Sequence, residues 1–430
     1  MKLQIEKAIY GGANLAHQAD GESVFVPFVL PGELAEIQIH QHKKNFEKAS
    51  LLQVLKDSED RVQPACPHFG ECGGCHYQHA EYPAQVKMKA SILQETLEHA
   101  GLKALPEIQS HTAAPWAYRN RIRLRLEEVD SILRAGYNRR GTNEFLAIQE
   151  CPITAPLLWR AAQGLLQVAT ESADVNRWIG NAVEAEFFTT ADEEKLQMTV
   201  FVRKDQPGLA PLCERMKQLV PELAGAGTSL LKLAGPQRQV QKPRPLESWG
   251  TQGLSYQAGN EDYWVGRGAF FQVNRFLIEE LVRIVATDRQ GELAWDLYAG
   301  VGLFSRALAK TFQQVVAVEA AATDLINSFK GTGRRAVEAT TVEFLRQAVV
   351  QRERPQLIVV DPPRAGVGAE VCSLLTRVSA PEIVYVSCDP VTLARDLKML
   401  VDAGYKLEEL HLVDLFPQTF HLETIVVLRR

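Results

Sequence analysis

Four largely apolar runs in the last third of the chain, three of them rich in β-branched residues, each close on a residue with chemistry to offer, and this pattern restricts the fold more than anything else in the sequence. They are Ala294–Leu297, Val315–Val318, Leu357–Val360 and Ile383–Val386, with helical patterns between them. Runs that are apolar on both faces predict strands buried on both sides, which is the signature of a parallel sheet covered by helices. In such a sheet ligands bind beyond the carboxyl ends of the strands. Those ends carry Tyr298-Ala299-Gly300-Val301-Gly302 with a helix from Leu303, then Glu319, then Asp361-Pro362-Pro363-Arg364, then Ser387-Cys388-Asp389-Pro390. The glycines let the backbone approach a ligand at a helix N-terminus, and Glu319 is placed to accept hydrogen bonds from ribose hydroxyls. By itself Cys388 would be a small core residue. Around one cleft with Glu319 and Asp361 it becomes a candidate nucleophile. Two final strands, roughly Glu409–Leu415 and Leu422–Leu428, flank Phe416–His421 and leave Glu423 just inside the last.

With 430 residues the chain is too long for one ordinary core, so two or three domains are expected. A hydrophobic content of 46% and a charged content of 23% belong to a soluble globular protein. No apolar run reaches the ~18 residues of a membrane span. Met1–Glu6 lacks a signal-peptide core, so a cytoplasmic setting is expected. There the seven cysteines would not pair as disulfides. The net charge of −5 argues weakly against a polyanion partner, and the local distribution of charge matters more.

Residues 1–56 alternate apolar and polar positions between turn signals at Gly11-Gly12, Asp20-Gly21 and Pro31-Gly32, which predicts a small β-barrel. Lys43, Lys44 and Lys48 beside Phe46 suit single-stranded nucleic acid, or equally an ordinary solvated hairpin tip. Cys66, Cys72 and Cys75 follow in a C-x5-C-x2-C run, and Cys151, also followed by proline, is the natural fourth ligand. Zinc and an iron–sulfur cluster both fit four thiolates. Arg119, Arg121, Arg123 and Arg125 then alternate with Ile122, Leu124 and Leu126, which predicts a strand with a row of guanidinium groups on one face, suited to phosphates. Leu157–Ala169 reads as a helix, Gln197–Val202 as a strand, Cys213 as core, and Gly225–Gly250 as ending in a linker.

These motifs together resemble the RNA (uracil-5-)-methyltransferases that use S-adenosylmethionine, in the branch with an N-terminal TRAM barrel and an iron–sulfur domain. Pro31-Gly32-Glu33, the Cys66–Cys75 run, Asp361–Gly366, Ser387–Leu393, and Phe416–Thr419 with His421 and Glu423 carry the likeness. The resemblance implies an α/β fold: a Rossmann-like class I methyltransferase domain over 254–430, a TRAM/OB-like barrel over 1–56, and a central α+β iron–sulfur and RNA-binding domain over 57–253. Part of 80–115 would pack with the catalytic domain.

It also implies roles. Cys388 would be the nucleophile and Glu423 the base. Gln272, Tyr298, Gly300, Leu303, Glu319 and Asp361 would hold S-adenosylmethionine, although Leu303 stands where relatives often carry Asn. Cys66, Cys72, Cys75 and Cys151 would hold a 4Fe–4S cluster. Arg121, with Arg119, Arg123 and Phe270, would meet the RNA. The implied activity is methylation of carbon 5 of a uridine, in 23S ribosomal RNA or alternatively transfer RNA, by a monomer with no protein or membrane partner. The competing readings are a non-catalytic RNA-binding protein and a small-molecule or nitrogen methyltransferase. Arg364 after Pro-Pro, where nitrogen methyltransferases often place Tyr, counts against the last.

Overall fold

The computed structural model describes residues 1–130, 132–231, 243–322, 325–326, 329 and 334–430. The chain divides into two compact units, one of Met1–Gly70, Gly74–Pro115 and Glu280–Arg430, the other of Glu71–Gly73 and Trp116–Glu279.

The first unit begins with a six-stranded sheet in the order Lys2–Gln4, Leu34–His42, Glu47–Lys56, Ser23–Pro27, Ala13–His17, Lys7–Ile9. Its alternating pattern turns Leu3, Ile5, Val24, Val26, Ala35 and Ile37 into a private apolar core. The turn at Pro31-Gly32-Glu33 is pinned by a fully buried carboxylate: Glu33 accepts from Leu30 N at 2.7 Å, Ser58 N at 3.2 Å and Arg61 Nε at 2.5 Å. Burial pushes the Glu33 pKa up, yet the Arg61 and backbone hydrogen bonds win and hold it below its ordinary value.

The rest of this unit is an eight-stranded sheet ordered Arg335–Glu338, Phe312–Glu319, Gly291–Leu297, Leu357–Val360, Glu382–Ser387, Glu423–Arg429, Lys406–Val413, Ile108–His111. The first five strands are parallel, and Glu423–Arg429 enters antiparallel between two neighbours. Strand order reverses between Gly291–Leu297 and Leu357–Val360, the position where such sheets open a crevice. The strands expected from the apolar runs are present, and the last two begin at Lys406 and Glu423. Helix Tyr82–His99 and strand Ile108–His111 belong to this unit, the latter pairing parallel to Lys406–Val413.

The second unit is built on a seven-stranded sheet, ordered Phe145–Ala147, Ile132–Asn138, Arg121–Val129, Ala182–Thr189, Leu196–Val202, Leu223–Leu230, Arg244–Gly250. Helices Pro156–Glu171 and Leu209–Leu219 pack on it through Leu158, Leu165, Leu212 and the fully buried Cys213. The stretch Gly225–Gly250, expected to end in a linker, instead ends in a strand. Leu223–Leu230 and Arg244–Gly250 pair as strands, and 232–242 lie outside the described residues. Gly225 is needed there because a Cβ would strike Thr251 O at 2.1 Å. Hairpin Gly253–Ala258/Glu261–Gly266 and the chain to Glu279 also sit in this unit, so the boundary expected at 253/254 falls inside it. Arg267 donates to Ala226 O at 2.7 Å, and Phe271 packs on Tyr256 at 4.7 Å between centroids.

Candidate active site

Strand Glu382–Ser387 has no exposure from Ile383 to Val386, so it cannot stop until its apolar run stops. The stop is sharp. The Asp389 N–H donates to Ser387 Oγ at 3.3 Å, and Asp389 Oδ1 accepts from Val391 N and Thr392 N, both at 3.0 Å, as the N-cap of helix Pro390–Asp402. Pro390 opens that helix, where its missing N–H costs nothing. Cys388 is left half-buried at the turn.

Glu423 begins the adjacent antiparallel strand, opposite Val413 and next to the Ser387–Thr424 pair, and is 3% exposed. Burial and then the Glu423 charge push the Cys388 thiol up to about 11, while Arg364 opposes them. Burial, and then the Asp361 charge, hold the Glu423 carboxyl well above its ordinary value. Asp361 itself is pushed up to about 7 by burial and by Asp296. Thiol and carboxyls thus sit within electrostatic reach of each other in a site that resists charge. Burial and mutual repulsion raise the proton affinity of all three, and perturbation of this kind clusters at catalytic sites.

Two loops shape this corner. After Arg364, Val367 N donates to Asp396 Oδ2 at 2.8 Å and Tyr385 Oη donates to the same oxygen at 2.8 Å. Gly366 lies at φ 72°, and a Cβ there would fall 2.4 Å from Asp396 Oδ2, so only glycine fits. The Phe416–Thr419 loop is latched from helix Tyr82–His99. Lys89 Nζ donates to Asp414 Oδ1 at 2.6 Å and to Phe416 O at 2.9 Å. Gln85 exchanges two hydrogen bonds of 2.9 Å with Gln418, whose φ is 67°. None of Tyr385, Asp396, Lys89, Gln85 or Asp414 was singled out from the sequence. The available signal was a Lys and a Gln on the apolar face of a helix.

Beyond strand Gly291–Leu297, Tyr298, Gly300 and Gly302 take φ values of 65°, 55° and 86°. The left-handed turn aims the start of helix Leu303–Leu308 at the crevice. Gly300 N donates to Glu319 Oε2 at 3.0 Å, which fixes the acid at the end of its strand. Leu303 is 7% exposed and belongs to the core. Asp296, also missed from the sequence, is fully buried and accepts from Ser305 N at 2.8 Å, so it clamps the same helix. Burial pushes it up to about 7 against those bonds.

In the second unit strand Arg121–Val129 alternates arginine with the buried Ile122, Leu124 and Leu126 as expected, and acids stand beside its arginines. Arg121 donates to Ala269 O at 2.7 Å, lies 3.8 Å from Glu186 and stacks over Phe188. Arg123 pairs with Glu184, and Arg125 with Glu127. Strand Ala182–Thr189 brings Glu184 and Glu186 beside the row, a pairing local sequence does not show. Arg119 precedes the strand and is held between Ile153 and Ala155 by backbone hydrogen bonds. Gln272 is 6% exposed, and its carbonyl accepts from Asn120 Nδ2 at 3.0 Å. Phe270 is 70% exposed, an unusual position for an aromatic ring.

Cys66, Cys72, Cys75 and Cys151 are half-buried and lie outside any disulfide. Cys72 and Cys151 both act on the hydroxyl of Tyr137, which is pushed up chiefly by burial. Among the described residues no three His, Cys, Asp or Glu side chains are placed to hold a metal ion. Among them, too, no helix is long and apolar enough to cross a membrane.

A family model described as tRNA (Uracil-5-)-methyltransferase matches residues 336–430, the part that carries Asp361, Cys388 and Glu423. A protein of Aquifex aeolicus described as an uncharacterized RNA methyltransferase is 31% identical over 100% of this chain and 98% of its own. The 23S rRNA (uracil(1939)-C(5))-methyltransferase RlmD of Yersinia enterocolitica is 32% identical over 97% of this chain and 92% of its own. The crystal structure of Pyrococcus abyssi tRNA (uracil-54, C5)-methyltransferase in complex with S-adenosyl-L-homocysteine covers 100% of both chains with a TM-score of 0.76 at 22% identity, and so shares the fold. Likeness that runs from end to end, together with a thiol and a carboxyl on neighbouring strands of one sheet, makes this chain a member of the RNA (uracil-5-)-methyltransferase family.

Proposed function

We propose that the chain methylates carbon 5 of a uridine in 23S ribosomal RNA, with Cys388 as nucleophile and Glu423 as base. The observation that carries this is the placement of Cys388 and Glu423 beside the Ser387–Thr424 pair of two neighbouring strands, where the Glu423 charge raises the proton affinity of the thiol. Carbon 5 of uracil is too weak a nucleophile to take a methyl group unaided. The Cys388 thiolate adds to carbon 6, and the electrons of the 5,6 double bond pass into the C4 carbonyl as an enolate. S-adenosylmethionine supplies an electrophilic methyl, which carbon 5 takes while the S–CH3 bond breaks and S-adenosylhomocysteine leaves. Glu423 then removes the carbon 5 proton, the double bond re-forms, and the thiolate departs. Gln272, Tyr298, Gly300, Glu319 and Asp361 are the proposed cofactor contacts. Leu303 offers only its backbone, since its side chain is apolar and buried. Arg121 and Phe270, with Arg119 and Arg123, are proposed for the RNA, where an exposed ring can stack on a turned-out base's neighbours.

The six-stranded N-terminal sheet is proposed as a TRAM barrel that holds flanking RNA. Cys66, Cys72, Cys75 and Cys151 are proposed to carry a 4Fe–4S cluster, supported by an all-thiol donor set and the C-x5-C-x2-C spacing. Iron and sulfide content with absorption near roughly 400 nm supports iron; a colourless protein with stoichiometric zinc overturns it.

The deciding experiment for substrate maps 5-methyluridine in RNA from a deletion strain. Loss from 23S RNA is expected. Loss from transfer RNA alone favours the second reading, which the family model's description supports.

A further inference from the structure

The cap of the nucleophile's helix has a second partner. Asp389 uses Oδ1 for the amides of Val391 and Thr392, and its Oδ2 accepts from Tyr10 Oη at 3.1 Å. Tyr10 lies 379 positions away, in the turn between strands Lys7–Ile9 and Ala13–His17 of the N-terminal sheet. That turn is shaped for its place: Gly11 and Gly12 have φ of 106° and 85°, and a Cβ on Gly12 would meet His76 at 2.9 Å. The Tyr10 ring meets Phe420 edge-on, with centroids 5.5 Å apart and planes at 85°. Phe420 leads through His421 to Glu423. One side chain therefore touches both the loop of the proposed nucleophile and the loop of the proposed base.

We propose that Tyr10 is a positioning residue for the nucleophile: its hydroxyl, donated to Asp389, fixes the turn that presents Cys388, and so the N-terminal sheet sets the reactivity of the thiol. This rests on the assignment of Cys388 as nucleophile. The physical reason is charge. Asp389 is the residue next to the thiol, and an undamped carboxylate there opposes thiolate formation. Two amides and a phenol draw on that charge. Burial and the nearby Asp389 hold the Tyr10 hydroxyl in its protonated form, so it remains a donor over the working pH range. A role in packing alone needs only the ring, which phenylalanine retains.

The test uses the full-length protein with S-adenosylmethionine and a 23S ribosomal RNA transcript containing 5-fluorouridine, which arrests the reaction as a covalent protein–RNA adduct. Adduct formation is timed from pH 6 to 9 in wild type, Tyr10→Phe, Asp389→Asn and the double variant. Tyr10→Phe is expected to slow the adduct roughly five- to tenfold at neutral pH and to displace the profile to higher pH, the scale of one net intramolecular hydrogen bond. In the Asp389→Asn background the same change is expected to add nothing. General loss of stability would act in both backgrounds alike, so it does not imitate this result. A wild-type rate and profile in Tyr10→Phe overturns the inference, as does full additivity in the cycle. Absence of an adduct from the wild type overturns the Cys388 assignment, and this inference with it.

Discussion

Lys89→Met tests whether the loop before Glu423 depends on the helix behind it. Lys89 is fully buried, Asp414 is 1% exposed, and their charges meet at 2.6 Å. Burial pulls the Lys89 pKa down while Asp414 pulls it back up, and the ammonium persists because of its partner. Methionine keeps most of the volume and removes the charge. The buried carboxylate that loses its cation then costs about 3–5 kcal/mol. An upper limit comes from protonation. Neutralising a carboxyl of ordinary pKa, about 3.9, at pH 7 costs about 4 kcal/mol, so the loss cannot greatly exceed that. Two consequences follow. The destabilisation shrinks as pH falls from 7 towards 4, because protonation becomes cheaper. The double variant Lys89→Met/Asp414→Leu recovers most of the loss, because no charge is left buried. Urea denaturation at pH 4.5 and 7 measures both, and turnover in native buffer reports on the loop. A loss below about 1 kcal/mol at pH 7, or one independent of pH, refutes the reasoning.

Asp361→Asn is expected to stabilise the protein while abolishing methyl transfer. A carboxyl raised to about 7 keeps a proton that the unfolded chain releases near pH 4, so wild-type stability falls as pH rises from about 4 to 7, and the gap above pH 7 approaches about 4 kcal/mol. Melting temperatures of wild type and variant that stay parallel from pH 5 to 8 contradict this. Because the Cys388 thiol is pushed up to about 11, log adduct rate should climb by about one unit per pH unit between pH 7 and 9 in single-turnover measurements. A plateau below pH 8 would show a thiol already ionised. Glu423→Gln should accumulate methylated adduct that wild type releases; normal turnover in that variant removes Glu423 as the base. Gly366→Ala should cost about 2 kcal/mol or more from the 2.4 Å approach to Asp396 and the positive φ; a chemical-denaturation midpoint equal to wild type defeats that expectation.

Local sequence was enough where one strand or one turn decides the outcome. The apolar runs had no alternative to buried parallel strands, and Asp389-Pro390 after Ser387-Cys388 could only end a strand and start a helix. The glycines at 300 and 302, read as letting the backbone approach a ligand, do take positive φ. What failed depended on which distant segments became neighbours. Arg123 and Arg125 looked like free charge until Ala182–Thr189 placed Glu184 and Glu186 beside them. The stretch 225–250 looked like a linker because glycine and proline hide its strands, yet pairing with Leu196–Val202 gives Leu223–Leu230 its place.

The same division holds for the candidate site. Residue types at Asp361, Cys388 and Glu423, and their positions at strand ends, are properties of the sequence. Their proton affinities are not. Those arise because burial removes water from all of them at once and because the antiparallel entry of Glu423–Arg429 sets one acid against the thiol. The supports at Tyr10, Gln85 and Lys89 lie more than 300 positions from the groups they hold, and only the folded chain decides such pairs, since a hydrogen bond is made by distance in space.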